Sequence, residues 1–457
     1  MTLANKIAFV LLCAAIIFTT VVYGAVHQPV IALVYVMFGG MLVLWAIDGY
    51  ITGSMRFSSS HLQIPIILTV VYGVIQIIPF GTITETGGIQ GISRTISLDP
   101  FSTQATVIHL LGLFLFFAVS LTLIDSASRL RKLVIVITVF GFIFAFYAIL
   151  QAVLSPDKIY GIYERREVAP FGSFVNRHNF AAYMEMTLSL PMGLLFVGAI
   201  AKDKRLLYFT AIGLMGVALL LSGSRGGFVA FLAEVIFLFI LTTPARSGRK
   251  LYLKLGLVVV LVAAIIGGSF FVGGESSLTR IAETSGSQNV TSDRSHIWSV
   301  TLRVIANSFP LGAGLGSFGA AYTAFDTRSG AERVEQAHND YLQIAADAGI
   351  IGILLGLFFV FTLFRVGIKA AKSDNTYRRG VAVGALAGCF AILIHSIFDF
   401  VLHTTAITVL FLTLVTLIVA SRNRYEDDIE ELEGRKIKRK RSSSVASISS
   451  AKRNSLP

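Results

Sequence analysis

The sequence predicts an all-α integral membrane protein with about twelve transmembrane helices and one long extramembrane loop. Three observations predict it. Apolar residues make up 54% of the 457-residue chain and charged residues only 14%, whereas soluble domains carry about 25% charge. Mean hydropathy is +0.75. The apolar residues also gather into runs of roughly 20, the length a helix needs to cross the hydrocarbon core. A soluble fold is thereby excluded. Cys13 and Cys389 both lie inside apolar runs, which also excludes a disulfide framework or a Cys-based metal site.

Taken in order, the first run, 7–26, follows the single cation Lys6. No small-x-small cleavage site follows in "VVYGAVHQ", so it reads as an uncleaved first span with a cytoplasmic N-terminus. Further runs fall at 29–47, 62–79, 101–124, 130–154 and 178–200. Spans seven and eight, 206–222 and 226–243, are separated by a very tight turn whose Gly223, Gly226 and Gly227 let backbones approach closely. Span nine is 251–272, and spans ten to twelve are 342–364, 380–398 and 404–420. Between nine and ten runs the long loop, about 273–341. It is rich in Gly, Ser and Thr at first, then amphipathic in "HIWSVTLRVIANSFP", where Ile297, Trp298, Leu302 and Ile305 share a helical face. The polytopic domain thus covers 1–420. The tail, 421–457, is an acidic then basic polar run that reads as disordered and suited to anionic lipid, with no nucleic-acid role expected.

Charge sets the expected orientation. With the N-terminus inside, 27 of the 38 Lys+Arg fall on inward pieces and 11 on outward ones, as the positive-inside rule requires. Ten of those eleven outward cations are arginine, the residue suited to bidentate phosphate binding.

The chemically suggestive segments all fall on that outward face. "FVNRHNF" enters span six with Asn176, Arg177, His178 and Asn179; a capped helix end with an interfacial arginine explains it equally well. Arg225 stands on the tight turn, where simple snorkelling is the plainer reading. Arg294 precedes the amphipathic helix, with Asp293 as ion partner or cap. In "AHNDYLQ", Asp340 with Gln343 reads as a capping box for span ten and Tyr341 as an interfacial aromatic, while His338 and Asn339 stand just before. No helical role explains His338, and imidazole is the side chain that ordinarily takes a proton near neutrality. His395, Asp399 and His403 are spaced i, i+4, i+8, one face if the helix persists, either as a metal site or as a hydrogen-bonded ladder. Glu185, Glu234 and Asp347 sit within spans, where ionisable groups usually face an interior cavity. "GLGSFG", 314–319, fits a dinucleotide pattern but lacks the strand-turn-helix around it and reads as close-packed loop.

Five segments, "FVNRHNFAAYMEM", "SGSRGGFVAF", "SDRSHIWSVTLRVIANSFPLGAGLGSFGAAY", "AHNDYLQIAADAG" and "HSIFDFVLH", together resemble the bacterial O-antigen ligase and O-antigen polymerase superfamily over roughly 171–405. One departure is Asp347-Ala348-Gly349, where the family usually has Glu-Leu-Gly. The resemblance implies a lipid-carrier (GT-C-like) glycosyltransferase bundle in the bacterial inner membrane with its active site facing the periplasm. It implies inverting, metal-independent transfer of a glycan en bloc from undecaprenyl diphosphate to an acceptor sugar hydroxyl, on a growing glycan or lipid A core, without a cofactor. Export or chain-length-regulating proteins would be partners. By matching position, His338 would activate the acceptor and Arg225 and Arg294 would bind the diphosphate, with Arg177 a third cation and Asn176, Asn179, Asn339, Tyr341 and Asp399 in support. An arginine about 4 Å from the developing phosphate charge is worth on the order of 4 kcal/mol at an effective dielectric near 20. A positioned base adds about 10²- to 10⁴-fold. Ligase and polymerase are not distinguished. The alternative from another class is a transporter or flippase for lipid-linked glycans, disfavoured because the long loop is outward and follows span nine rather than joining two halves.

Overall fold

The structure is a computed structural model, and its described residues are 2–83, 91–164, 170–243, 288–328 and 333–422, with residues 256 and 259 between; the side chains of 83 and 288–293 are not included. It is an all-α integral membrane protein. The helices are α1 (Leu3–Val21), α2 (Gln28–Thr52), α3 (Gln63–Ile77), α4 (Pro100–Leu123), α5 (Ala127–Leu154), α6 (Arg177–Val197), α7 (Arg205–Leu221), α8 (Arg225–Thr242), α9 (Gln288–Ser308), α10 (Phe318–Thr323), α11 (Asp340–Ala370), α12 (Thr376–His395) and α13 (Thr405–Ala420). Among the described residues, nine helices are at least 18 residues long and apolar enough to span a membrane, counting the 3-10 turn Lys202–Lys204 with α7. The apolar helices α3 and α13 are shorter. Eleven of the twelve expected runs are therefore helices. The ninth, 251–272, the first part of the long loop and the tail beyond 422 lie outside the described residues. Two small hairpins, Thr82–Ile83 with Ile92–Ser93 and Lys158–Ile159 with Tyr163–Glu164, were not expected from the sequence.

Burial orders the bundle. α6 and α12 form its centre, with most of each helix enclosed, while α2 is largely exposed and turns Leu33, Val36, Val43 and Ile47 outward. That is the distribution a lipid-facing helix requires. The two central helices meet backbone to backbone: a Cβ on Gly193 would overlap the main chain of Gly384, and one on Gly384 would lie 2.5 Å from the Ser189 carbonyl oxygen. Small residues allow such contact where lipid offers no hydrophobic drive.

At one end of the bundle, here the upper end, α6, α8 and α11 begin and α7 and α12 finish. α9, α10 and the intervening loop cover this end with their own small core of Val300, Val304, Phe318 and Tyr322. The buried stripe of α9 is Ile297, Val300, Val304 and Ile305. Leu302 is exposed and Trp298 donates its indole N–H to the Ala337 carbonyl at 3.0 Å. Of the expected face of Ile297, Trp298, Leu302 and Ile305, the structure corrects Leu302, which is exposed, and adds Val300 and Val304, because α9 packs on α10 and α11 through that stripe.

Polar clamps hold this cap to the bundle. Gln76, buried at the end of α3, donates to the Asp347 carbonyl (3.0 Å) and accepts from Leu315 N (2.9 Å). The Asp347 carboxylate accepts from Gly316 N and Gln343 Nε2, each at 3.1 Å. Asp347 is a loop clamp in this arrangement. The "GLGSFG" stretch is close-packed, with Ser317 in a buried hydroxyl cluster with Ser97 and Thr103.

Candidate functional site

Local sequence fixes where each functional side chain starts. Asn176 caps α6 by accepting from His178 N at 2.9 Å, which sets Arg177 and His178 in the first turn. Ser224 caps α8 by accepting from Gly227 N at 3.2 Å, after Gly223 reverses the chain at φ 64°. Arg225 therefore opens α8. The two N-termini project toward one small open cavity of about 90 Å³, and helix N-termini favour anions through their free N–H groups and dipoles. Arg177, His178, Gly223, Arg225 and Gly226 line it from this side. Arg294 of α9 lines it from above, and His395, Phe398 and Asp399, at and just beyond the end of α12, complete the wall.

Three arginines and one carboxylate line this cavity, and the carboxylate is a hub. Asp399 is almost fully buried and takes Arg294 Nη2 at 3.4 Å on Oδ2, with His178 Nδ1 at 3.9 Å from the same oxygen. Its Oδ1 lies 3.3 Å from His338 Nδ1. Burial by itself would raise this carboxyl, but the His338 hydrogen bond and the His178 and Arg294 charges outweigh it and hold Asp399 well below the usual carboxylate range. Arg294 is further fixed by Nη1, which donates to the Phe398 carbonyl at 2.8 Å. Arg225 makes no hydrogen bond or ion pair with a described residue; its guanidinium remains available to a ligand.

His338 is held from both sides. Its φ of 50° is in the left-handed region, which costs a non-glycine residue of order 1–3 kcal/mol and persists only where neighbours over-determine it. Before it, Ala337 N donates to Gln343 Oε1 at 2.7 Å. After it, Asn339 caps α11 by accepting from Tyr341 N and Leu342 N, and donates to the Ile397 carbonyl at 2.9 Å. Phe400 meets the ring edge-on, centroids 4.9 Å apart. With Nδ1–H given to Asp399, Nε2 carries the ring's lone pair and bonds to no described residue.

The structure thus brings Arg177, Arg225, Arg294 and Asp399 to one cavity, with His338 reaching it through Asp399. Asn176 and Asn339 are helix caps. Asn179 is buried in the first turn of α6 and does not line the cavity. Tyr341 is half exposed and donates its hydroxyl to the Leu393 carbonyl at 2.6 Å.

Two readings are corrected. Asn339, not Asp340, caps α11; Asp340 instead accepts from Ser396 Oγ at 2.7 Å and Leu402 N at 3.3 Å and pairs with His403 at 3.0 Å, so no capping box forms. The 395–403 ladder does not exist, because α12 ends at His395 and the chain turns into a 3-10 segment at Val401–His403. Its three members go to separate partners: His395 to Glu185 at 2.9 Å, Asp399 to His338 and Arg294, and His403 to Asp340. Among the described residues no group of three His, Cys, Asp or Glu could hold a metal. Sequence reasoning gave His178 and His395 no role at this cavity. Both were visible as histidines near helix ends, but their shared destination depends on how α6 and α12 pack.

Residues 210–357 match the O-antigen ligase family. That match runs from α7 into α11, about a third of the chain, and contains Arg225, Arg294 and His338 while leaving Arg177, His395 and Asp399 outside. It supports the O-antigen ligase and polymerase superfamily and a function of that type. Among curated proteins, none matches the chain significantly.

Proposed function

We propose that the protein is a periplasm-facing glycosyltransferase that moves a glycan from a lipid diphosphate, of the undecaprenyl class, to an acceptor sugar hydroxyl. The single observation that carries this reading is the convergence of Arg177, Arg225 and Arg294 with two helix N-termini on one cavity, beside a histidine that shares Asp399 with Arg294. In the reaction, the acceptor oxygen attacks the anomeric carbon from the face opposite the phosphate, and the bond from that carbon to the phosphate oxygen breaks. The acceptor's proton passes to His338 Nε2, and the electron pair stays on the departing diphosphate. Asp399 orients the ring and offsets the charge it gains, the role such a carboxylate plays in an acid–base pair. The arginines meet charge that grows on the phosphate as the bond opens, where fixed donors act most strongly.

A lipid-linked glycan and an acceptor, incubated with purified full-length protein, test the reading. Transfer is expected in the wild type and its abolition in His338→Ala, with membrane insertion intact. Full activity of His338→Ala would remove the base. Activity that stops on prolonged chelation and returns with a divalent cation would overturn metal independence. In a deletion strain, single-repeat glycans on gels indicate a polymerase and unattached long chains a ligase.

A further inference from the structure

We propose that His395, seated on Glu185, is a further ligand-binding residue of this cavity, its Nε2–H contacting the same anion that the arginines hold; the proposal rests on the anion-binding reading above. His395 closes α12, is fully buried and forms part of the cavity wall. Its Nδ1 lies 2.9 Å from Oε1 of Glu185, itself fully buried on α6. His395 Nε2 has no partner among the described residues. Buried polar atoms are almost always satisfied, and one orphaned at a cavity wall is explained when a ligand supplies the missing bond.

The neighbours decide what that ligand atom is. Arg177, Arg225 and Arg294 bring only donors to the cavity, and the one carboxylate in its wall, Asp399, is already engaged by Arg294 and His338, so the group the arginines surround is acceptor-rich oxygen, the chemistry of a phosphate or diphosphate. An imidazole that donates Nδ1–H to the Glu185 carboxylate and Nε2–H to that oxygen is a cation balanced from below, and a pair that is neutral overall is the form burial tolerates. Gly226 puts no side chain over the Nε2 edge of the ring. A Cβ there would lie 3.2 Å from Nε2 and 3.1 Å from Cδ2 of His395, so any side chain would crowd the edge of the ring that meets the ligand. Gly227, one residue on, lets Glu185 approach in the same way, its own Cβ position being 3.0 Å from Oε1. Glu185 touches no ligand in this scheme and is a positioning residue. A purely structural pair tying α6 to α12 is the rival, and it predicts effects on stability alone.

The test uses full-length protein in detergent, with geranylgeranyl diphosphate and inorganic pyrophosphate as probes, reading Kd by calorimetry beside thermal unfolding. His395→Gln and Glu185→Gln are each expected to weaken both probes about tenfold in protein that still unfolds cooperatively, the size of one lost charge-assisted contact. The double variant should bind no more weakly than His395→Gln, since one acts through the other. Wild-type Kd in folded His395→Gln, or fully additive losses in the double variant, would overturn the proposal. Gly226→Ala keeps the test alive where His395→Gln does not fold. It leaves the Glu185–His395 pair in place and is expected to weaken the probes several-fold; wild-type affinity there also overturns the proposal. Arg225→Lys separates the two readings. Weak binding in Arg225→Lys beside normal binding in His395→Gln removes His395 alone, whereas no binding by the wild type removes the anion site and this inference with it.

Discussion

Asp399 is the residue through which the cavity and His338 communicate, since one carboxylate serves Arg294 on one oxygen and His338 on the other. Asp399→Asn keeps the size and the hydrogen-bonding reach but removes the charge that offsets an imidazolium. It is expected to lower kcat by about 10² to 10⁴ while probe affinity holds or tightens, because the negative charge that repels a bound anion is gone. A loss confined to KM would place Asp399 in substrate binding. Arg225→Lys keeps the charge but loses the planar two-point contact, and transfer is expected to fall at least tenfold with expression unchanged; full activity would show that a point charge suffices. A third residue-scale prediction concerns His403. Its side chain is 40% exposed, so desolvation opposes the charge only in part, and the Asp340 hydrogen bond and charge leave the imidazole above its ordinary value. A raised pKa means stabilisation that is complete below the unfolded value, near 6.5, and is lost as pH rises through the folded one. The Tm gap between wild type and His403→Gln should therefore be widest near pH 6 and close toward alkaline pH. A gap that widens instead would show that the pair is not held by charge. The sequence already singled out the arginines and His338, whose polar segments give them no apolar role; the structure places Arg177 and Arg225 at the starts of α6 and α8 and Arg294 within α9. The role of His395 was illegible, since its i, i+4 spacing to Asp399 suggested a shared helical face that the end of α12 abolishes.

Elements decide whether those side chains are aimed correctly, and α11 does most of that aiming. Its N-cap is Asn339, whose carbonyl oxygen serves Tyr341 N and Leu342 N while its amide reaches Ile397. The cap therefore joins His338 to the segment that bears Asp399. Asn339→Ala is expected to cost about 1–2 kcal/mol and, beyond that, to lower transfer by relaxing the left-handed turn at His338. A variant less stable by that amount but fully active would show that Phe400 and Asp399 alone hold the ring. The sequence predicted a cap here and assigned it one residue late, because Asp340 and Gln343 fit the capping-box pattern equally well; the tertiary partners Ser396 and His403 took Asp340 instead. Nine residues into α11, Gly349 interrupts the helix at φ 57° and ψ −146°, a conformation that favours glycine. A Cβ there would strike the carbonyl oxygen of Pro310, which itself accepts from Ile350 N at 3.0 Å. The break lets the 309–317 loop lodge against the helix and lets Asp347 clamp it. Gly349→Ala should destabilise the cap over the cavity more than the bundle, seen as faster proteolysis within residues 288–328 at nearly unchanged unfolding of the spans. Equal protection in both proteins would show that the loop does not depend on this break.

Across the whole molecule, the span boundaries were the most legible feature, because the requirement for about 20 apolar residues writes itself into the sequence and competes with nothing else. Which helix ends meet was not legible. Arg177, Arg225, Arg294, His338 and Asp399 are spread over more than 200 residues, and it is the packing of α6, α8 and α12 on one another and of α9 on α11 that brings their ends together. One whole-molecule quantity still connects sequence to site: in the topology expected from the sequence the basic residues divide 27 to 11, and the segments that bear the cavity's arginines belong to the poorer set, whose cations are almost all arginine. On the proposed reading, the positive-inside rule puts the cavity on the periplasmic side, where a lipid diphosphate donor presents its glycan. Cysteine labelling checks this directly. Ile162→Cys sits at the cavity end and Ser54→Cys at the opposite end, both exposed, whereas the native Cys389 is buried and Cys13 partly so. In intact cells with a permeabilised outer membrane, a membrane-impermeant maleimide is expected to label position 162 and to reach position 54 only after the inner membrane is opened. The reverse pattern would put three arginines and the imidazole in the cytosol, facing nucleotide-linked rather than lipid-linked sugars across the wrong leaflet. The transfer reaction would then have no donor within reach, however well the residues were placed.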